Sequence, residues 1–104
     1  MRSRDFRRVY DQGTRYSGPL FAAFCVREPR PDGPRIGLTV PRDLGNAVVR
    51  NRIKRRLREA VRSHLDRLSP QWSIVINPRR KAFDAPWTGL QREVEQLFLR
   101  CSGS

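Results

Sequence analysis

The sequence predicts a small α+β domain: helix, strand, strand, helix, strand, helix, with one further short strand near Thr14–Ser17. Three observations carry this. The 104 residues fit one compact unit, so residues 1–101 read as a single domain and 102–104 as a flexible tail. Apolar residues step by three or four along 49–68, the period of a half-buried helix. Apolar runs of strand length stand at 20–27, 35–40 and 73–77.

Residues 4–12 read as a short helix because Phe6, Val9 and Tyr10 recur at helical spacing, with Gly13 placed to cap its end. Leu20 to Arg27 is an apolar, aromatic run that fits a strand. Pro29-Arg30-Pro31-Asp32-Gly33-Pro34 then forms a loop, and Arg35 to Val40 alternates well enough to be the antiparallel partner of the first run. Pro41 stops it. Asn46 can cap a long helix from Ala47 whose apolar stripe is Val49, Ile53, Leu57, Ala60, Val61, His64 and Leu68, ended by Ser69-Pro70. Ser73-Ile74-Val75-Ile76-Asn77 is a β-branched strand. Asp84 and Pro86 open a last helix with Trp87, Leu90, Val94, Leu97 and Phe98 on its buried side.

Charge narrows the function classes. Lys and Arg number 22 against 10 Asp and Glu, a net +12, and a domain this basic is best neutralised by a polyanion. Lys54 and Lys81 are the only lysines. A guanidinium forks onto phosphate oxygens and stacks on bases, which suits structured RNA. A GC-rich genome would also favour arginine codons, but it does not supply the net charge. Between Arg50 and Arg62 stand seven bases and one acid, Glu59, which is half of the net charge in 13 residues. At about 100° per residue, Asn51, Arg55, Arg58 and Arg62 share one outward face. Arg50 and Lys54 form one rim, Arg52 and Arg56 the other. A merely solvated face would mix signs, and this one does not.

Phe6 and Tyr10 share a face of the first helix, and Phe24 stands in the first long strand. Periodicity leaves two readings open for these rings: core, or a groove on which unpaired nucleotides stack. A catalytic inventory is missing from the sequence. The one histidine, His64, falls on an apolar stripe, and the acids are too scattered to hold two metal ions for phosphodiester hydrolysis. Cys25 and Cys101 match no metal-ligand pattern, and Cys25 reads as a buried thiol. The N-terminus resembles no signal peptide and no run is long enough to span a bilayer. The expectation is a soluble, cytoplasmic protein without a membrane partner; a membrane-surface helix would need large exposed aromatics that this stripe lacks.

Arg35-Ile36-Gly37-Leu38-Thr39-Val40, followed by Leu44-Gly45-Asn46 through Arg50-Asn51-Arg52-Ile53-Lys54-Arg55-Arg56-Leu57-Arg58-Glu59, closely resembles the bacterial ribonuclease P protein component. Phe6-x-x-Val9-Tyr10-x-x-Gly13 and Ile74-Val75-Ile76 with Arg79 extend the resemblance over nearly the whole chain. It implies a mixed sheet with a left-handed βαβ crossover around the long helix, against the usual right-handed preference. It also implies two partners, a catalytic RNA and precursor tRNA, and no obligate protein partner. The RNA would hold Mg²⁺ or other divalent ions and hydrolyse the phosphodiester that releases the 5′ leader; no catalytic residue and no metal site are expected on the protein. Arg50, Asn51, Arg52, Lys54, Arg55 and Arg58 match the motif and, with Arg62 on the same face, are expected to contact the catalytic RNA. Phe6, Tyr10 and Phe24 match aromatics of a leader-binding cleft, flanked by Arg35 and Arg42. Two departures stand out: Pro41-Arg42-Asp43 where Ser-Lys-Lys is common, and Asn77-Pro78-Arg79 where Ala-Arg is usual. The remaining classes are a ribosomal-type RNA binder and a nuclease in its own right.

Overall fold

The computed structural model describes residues 3–27, 35–64 and 72–103. Its elements are α1 (Ser3–Gln12), β1 (Thr14–Ser17), β2 (Phe21–Arg27), β3 (Arg35–Leu38), α2 (Ala47–His64), β4 (Trp72–Pro78) and α3 (Trp87–Gly103). Among the described residues two 3-10 turns join them, Arg42–Leu44 before α2 and Arg80–Phe83 before α3. The short first strand is present. Leu68, Ser69-Pro70 and the loop 29–34 lie outside the described residues.

The sheet order is β1-β2-β4-β3. β1 with β2 and β2 with β4 are antiparallel, whereas β3 runs parallel to β4, so the sheet is mixed. This corrects the pairing expected for residues 35–40, which meet β4 and not β2. The reason lies in β4: Ile74, Val75 and Ile76 are all fully buried, so this strand needs cover on both faces and takes an interior place between the two. β3 and β4 are joined through α2, the connection a parallel pair requires.

Register sorts the side chains into two layers. Phe21, Ala23 and Cys25 of β2 and Ile74 and Ile76 of β4 face α2 and α3, where Ile53, Leu57, Ala60, Leu90, Val94 and Leu97 complete the main core. The alternate residues, Ala22 and Phe24 of β2 and Val75 and Asn77 of β4, face the other way, on the side where α1 lies across β2 and β4. Val9 is the buried anchor of α1 there.

Local signals explain the helix ends. Asn46 Oδ1 accepts the Val49 N–H at 3.0 Å, the N-cap expected from the sequence. Gly45 just before it has φ 150°, ψ −170°, a region open in practice only to glycine. Gly13 N–H donates to the Val9 carbonyl at 2.8 Å and closes α1.

Three further expectations change. Trp87, placed on the buried stripe, opens α3 at 38% exposure, while Leu90, Val94, Leu97 and Phe98 are buried as expected. α3 runs through Gly103, so helix covers two of the three residues read as a tail. Cys25 is buried but not a lone thiol. It is bonded to Cys101, which ties the last turn of α3 to β2 with Cα atoms 6.4 Å apart. The two are 76 residues apart in sequence, and spacing alone gives no sign of the pair.

Candidate nucleic-acid interface

The packing of α2 decides which of its cations are free. Ile53, Leu57, Ala60 and Val61 are its buried residues, so the opposite side is solvent. Asn51, Arg55, Arg58 and Arg62 are all exposed there, as the helical projection predicts. Like charges at these spacings each cost a few tenths of a kcal/mol in an isolated helix, and burial of the apolar stripe offsets that.

The two rims behave differently. Arg56 points into the 3-10 turn before α3: its Nη1 donates to the Ala82 carbonyl at 2.7 Å and its Nη2 to the Ala85 carbonyl. Arg52 Nε donates to the Phe83 carbonyl at 3.1 Å, with its guanidinium 5.2 Å from the centre of the Phe83 ring. Arg80 covers the same ring at 5.7 Å and donates to the Leu44 carbonyl at 2.8 Å. This rim clamps α2 to the connection into α3. Arg52 stays exposed and keeps Nη donors beyond the one it uses. On the other rim Arg50 and Lys54 are half-buried, and Arg50 Nε is a buried donor with no acceptor among the described residues.

The aromatic set assembles on the α1 face of the sheet. Tyr10 and Phe24 meet edge to face with centroids 4.9 Å apart, and both, like Phe6, are half-buried. The rings are therefore neither closed core nor free platforms. The Tyr10 hydroxyl donates to Asn77 Oδ1 at 2.8 Å and lies 3.4 Å from Thr39 Oγ1, pinning α1 across β4 and the end of β3. Arg35 is brought onto this face by its register opposite Ser73, half-buried. Arg42 and Asp43 are exposed on the 3-10 turn that leads into α2.

Glu93 is a structural residue that sequence reasoning missed. It is 6% exposed, and its carboxylate accepts the Phe21 N–H at 3.0 Å and the Leu20 N–H at 3.1 Å. Burial pushes its carboxyl above the ordinary value, although the two N–H donors and Arg79 pull the other way. A Cβ on Gly18 would stand 2.9 Å from that carboxylate carbon, so a larger residue there would push the Glu93 side chain aside. Arg79 joins the same corner: Nε donates to the Gly18 carbonyl at 3.0 Å and Nη2 to Ser17 Oγ at 3.1 Å.

His64 Nδ1 is 3.0 Å from the Ala60 carbonyl of its own helix, so that edge is engaged. Among the described residues no three His, Cys, Asp or Glu side chains gather as metal ligands, and no helix is long and apolar enough to cross a membrane.

Comparison with known proteins places this geometry. The family model described as Ribonuclease P matches residues 1–102. The ribonuclease P protein component of Bacillus velezensis is 34% identical over 101 residues, covering 97% of this chain and 86% of that protein. That of Symbiobacterium thermophilum is 40% identical over 95 residues, covering 91% and 83%. Among solved structures, the RNase P protein of Thermotoga maritima superposes with a TM-score of 0.84 at 26% identity, covering 96% of this chain and 94% of that one. The Staphylococcus aureus RNase P protein gives 0.81 at 29% identity, covering 98% and 92%.

Proposed function

Because this chain belongs to the ribonuclease P protein family, we propose that it is the protein subunit of a ribonucleoprotein endonuclease that removes the 5′ leader from precursor tRNA. The observation that carries this reading is a division of surfaces. The free cationic face of α2 lies over one side of the sheet, and the half-buried aromatic cleft under α1 lies on the other.

In this reading the α2 surface anchors the catalytic RNA. Asn51, Arg55, Arg58 and Arg62 supply the exposed face, Arg50 and Lys54 one rim, and Arg52 the other. The leader, single-stranded and anionic, takes the cleft of Phe6, Tyr10 and Phe24, with Arg35 and Arg42 as flanking cations. Hydrolysis belongs to the RNA subunit, which supplies the site for Mg²⁺ or other divalent ions. The protein adds binding energy for a substrate that carries a leader and none for the mature product. Screening of RNA–RNA repulsion by its net +12 lowers the divalent-ion concentration that the RNA needs.

The test is reconstitution with a bacterial ribonuclease P RNA and one precursor tRNA. Adding the protein should permit cleavage at Mg²⁺ concentrations where the RNA alone is slow, and should lower the KM of the precursor more than the binding constant of mature tRNA. Absence of stimulation would overturn the reading. A nuclease acting alone is the competing class, and cleavage of the precursor by RNA-free protein would favour it.

A further inference from the structure

α3 is tied to β2 at both ends of the strand, once by hydrogen bonds and once covalently. At the start of β2 the Glu93 carboxylate accepts the Leu20 and Phe21 N–H groups. Further along both elements Cys25 is bonded to Cys101, two residues before the end of α3. The two cysteines are 5% and 4% exposed, and their Cα atoms stand 6.4 Å apart, a separation a disulfide spans without backbone movement. Dithiol and disulfide therefore fit the same fold. Beside the pair is a cavity of about 30 Å³ lined by both cysteines, Tyr16, Trp72, Arg15 and Arg100. Its volume suits a molecule of the size of water or hydrogen peroxide and is too small for a bulky thiol. Arg100 is placed over the Tyr16 ring, 5.9 Å from its centre, and with Arg15 brings positive charge to the cavity. Positive charge beside a cysteine favours the thiolate, the form that attacks an oxidant.

Disulfides persist in oxidising compartments, whereas paired cysteines of intracellular proteins are usually transient and redox-sensing. We propose that Cys25 and Cys101 are a reversible peroxide-responsive pair, a dithiol in a reducing interior and a disulfide under oxidative load. The intracellular setting rests on the precursor tRNA function proposed above; the chemistry of the pair does not. One thiolate attacks a peroxide oxygen, the O–O bond breaks, and the sulfur becomes a sulfenic acid while hydroxide leaves and is protonated to water. The second cysteine, as thiolate, attacks that sulfur; the S–S bond forms, the S–O bond breaks and a second water leaves. The two cysteines lose two electrons together, and the peroxide gains them. A dithiol reductant reverses the bond by exchange once the last turn of α3 opens. Oxidation closes a loop across 76 residues, and such a cross-link stabilises a fold by restricting its unfolded chain. The exposed arginines of α2 lie opposite the stripe that packs into this core, so the bond preserves the subunit and leaves its RNA affinity unaltered.

The experiment uses the full chain, reduced with dithiothreitol, freed of it and treated with stoichiometric hydrogen peroxide. The expected result is an intact mass lower by two hydrogens, loss of both thiols to alkylation by iodoacetamide in denaturant, and an unfolding midpoint raised by about 10 °C or more. Dithiothreitol should reverse all three. Binding to ribonuclease P RNA, at a temperature where both forms are folded, should be the same in the two states. Cys25→Ser should show no rise in midpoint on oxidation and should hold a sulfenic acid on Cys101 that dimedone traps. Cys101→Ser gives the reciprocal result should the first variant fail to fold, and the mass and alkylation readouts on wild type need no variant. An unchanged midpoint after peroxide, thiols that remain open to alkylation, or oxygen added to the mass in place of two hydrogens lost overturns the proposal. RNA binding lost on oxidation contradicts the protective role. Stimulation of precursor cleavage is measured on the same samples: its absence in both states overturns the proposed function, while mass and midpoint decide the pair.

Discussion

Arg56 donates from Nη1 to the carbonyl oxygen of Ala82 at 2.7 Å, although every arginine on the opposite face of the same helix is turned to solvent. One helix thus carries two kinds of arginine. A guanidinium that satisfies half-buried carbonyls contributes about 1.5–3 kcal/mol, whereas a surface side chain contributes within about 0.5 kcal/mol. Arg56→Ala should lower stability by about 2 kcal/mol in urea unfolding, and Arg58→Ala should leave the midpoint nearly unchanged while weakening binding to the RNA subunit. Equal stability losses in the two variants would contradict this division.

Glu93 should make stability depend on pH in an unusual direction. Burial raises its carboxyl above the ordinary value in the folded state. Such a group binds more protons folded than unfolded, so the fold loses stability as pH rises from about the unfolded carboxyl value, near 4.3, through the raised one; below that interval it adds no slope. Glu93→Gln keeps an oxygen for the Leu20 and Phe21 N–H groups and removes the charge, so the pH dependence in that interval should flatten. Glu93→Ala leaves two donors orphaned and should cost about 2–4 kcal/mol at neutral pH. Chemical unfolding across pH 4 to 7 for the three proteins checks both.

Tyr10→Phe separates the ring from its hydroxyl. The ring contact with Phe24 survives, and the bond to Asn77 Oδ1 is lost at about 0.5–1.5 kcal/mol. Affinity for a stacked leader should fall by less than threefold in Tyr10→Phe and by about tenfold in Tyr10→Ala, where a stacking platform worth roughly 1–3 kcal/mol is removed. Leader-dependent binding of precursor tRNA measures the difference.

Periodicity was sufficient for the helices because a stripe such as Ile53, Leu57 and Ala60 has one interpretation on an 18-residue helix. It also identified the free face, since exposure of Arg55 and Arg58 follows from where Ile53 and Leu57 point. Strand pairing was less legible. Residues 35–40 alternate equally well for either neighbour, and the choice is made by β4, whose burial on both faces comes from the whole assembly. Contacts that join distant segments were illegible for the same reason: Glu93 with Phe21, Cys25 with Cys101, Arg56 with Ala82. Asn77 had a signal, as a departure from the alanine common at that place, but its partner Tyr10 lies 67 residues away.

The most direct test of the account is the salt dependence of binding to ribonuclease P RNA by wild type and Arg55→Glu. Each lost phosphate contact should remove roughly 0.7–0.9 from the slope of log K against log salt. The account predicts a slope shallower by at least that amount for Arg55→Glu, with an unchanged unfolding midpoint. A wild-type slope in Arg55→Glu would contradict it and remove the free face of α2 from the RNA interface.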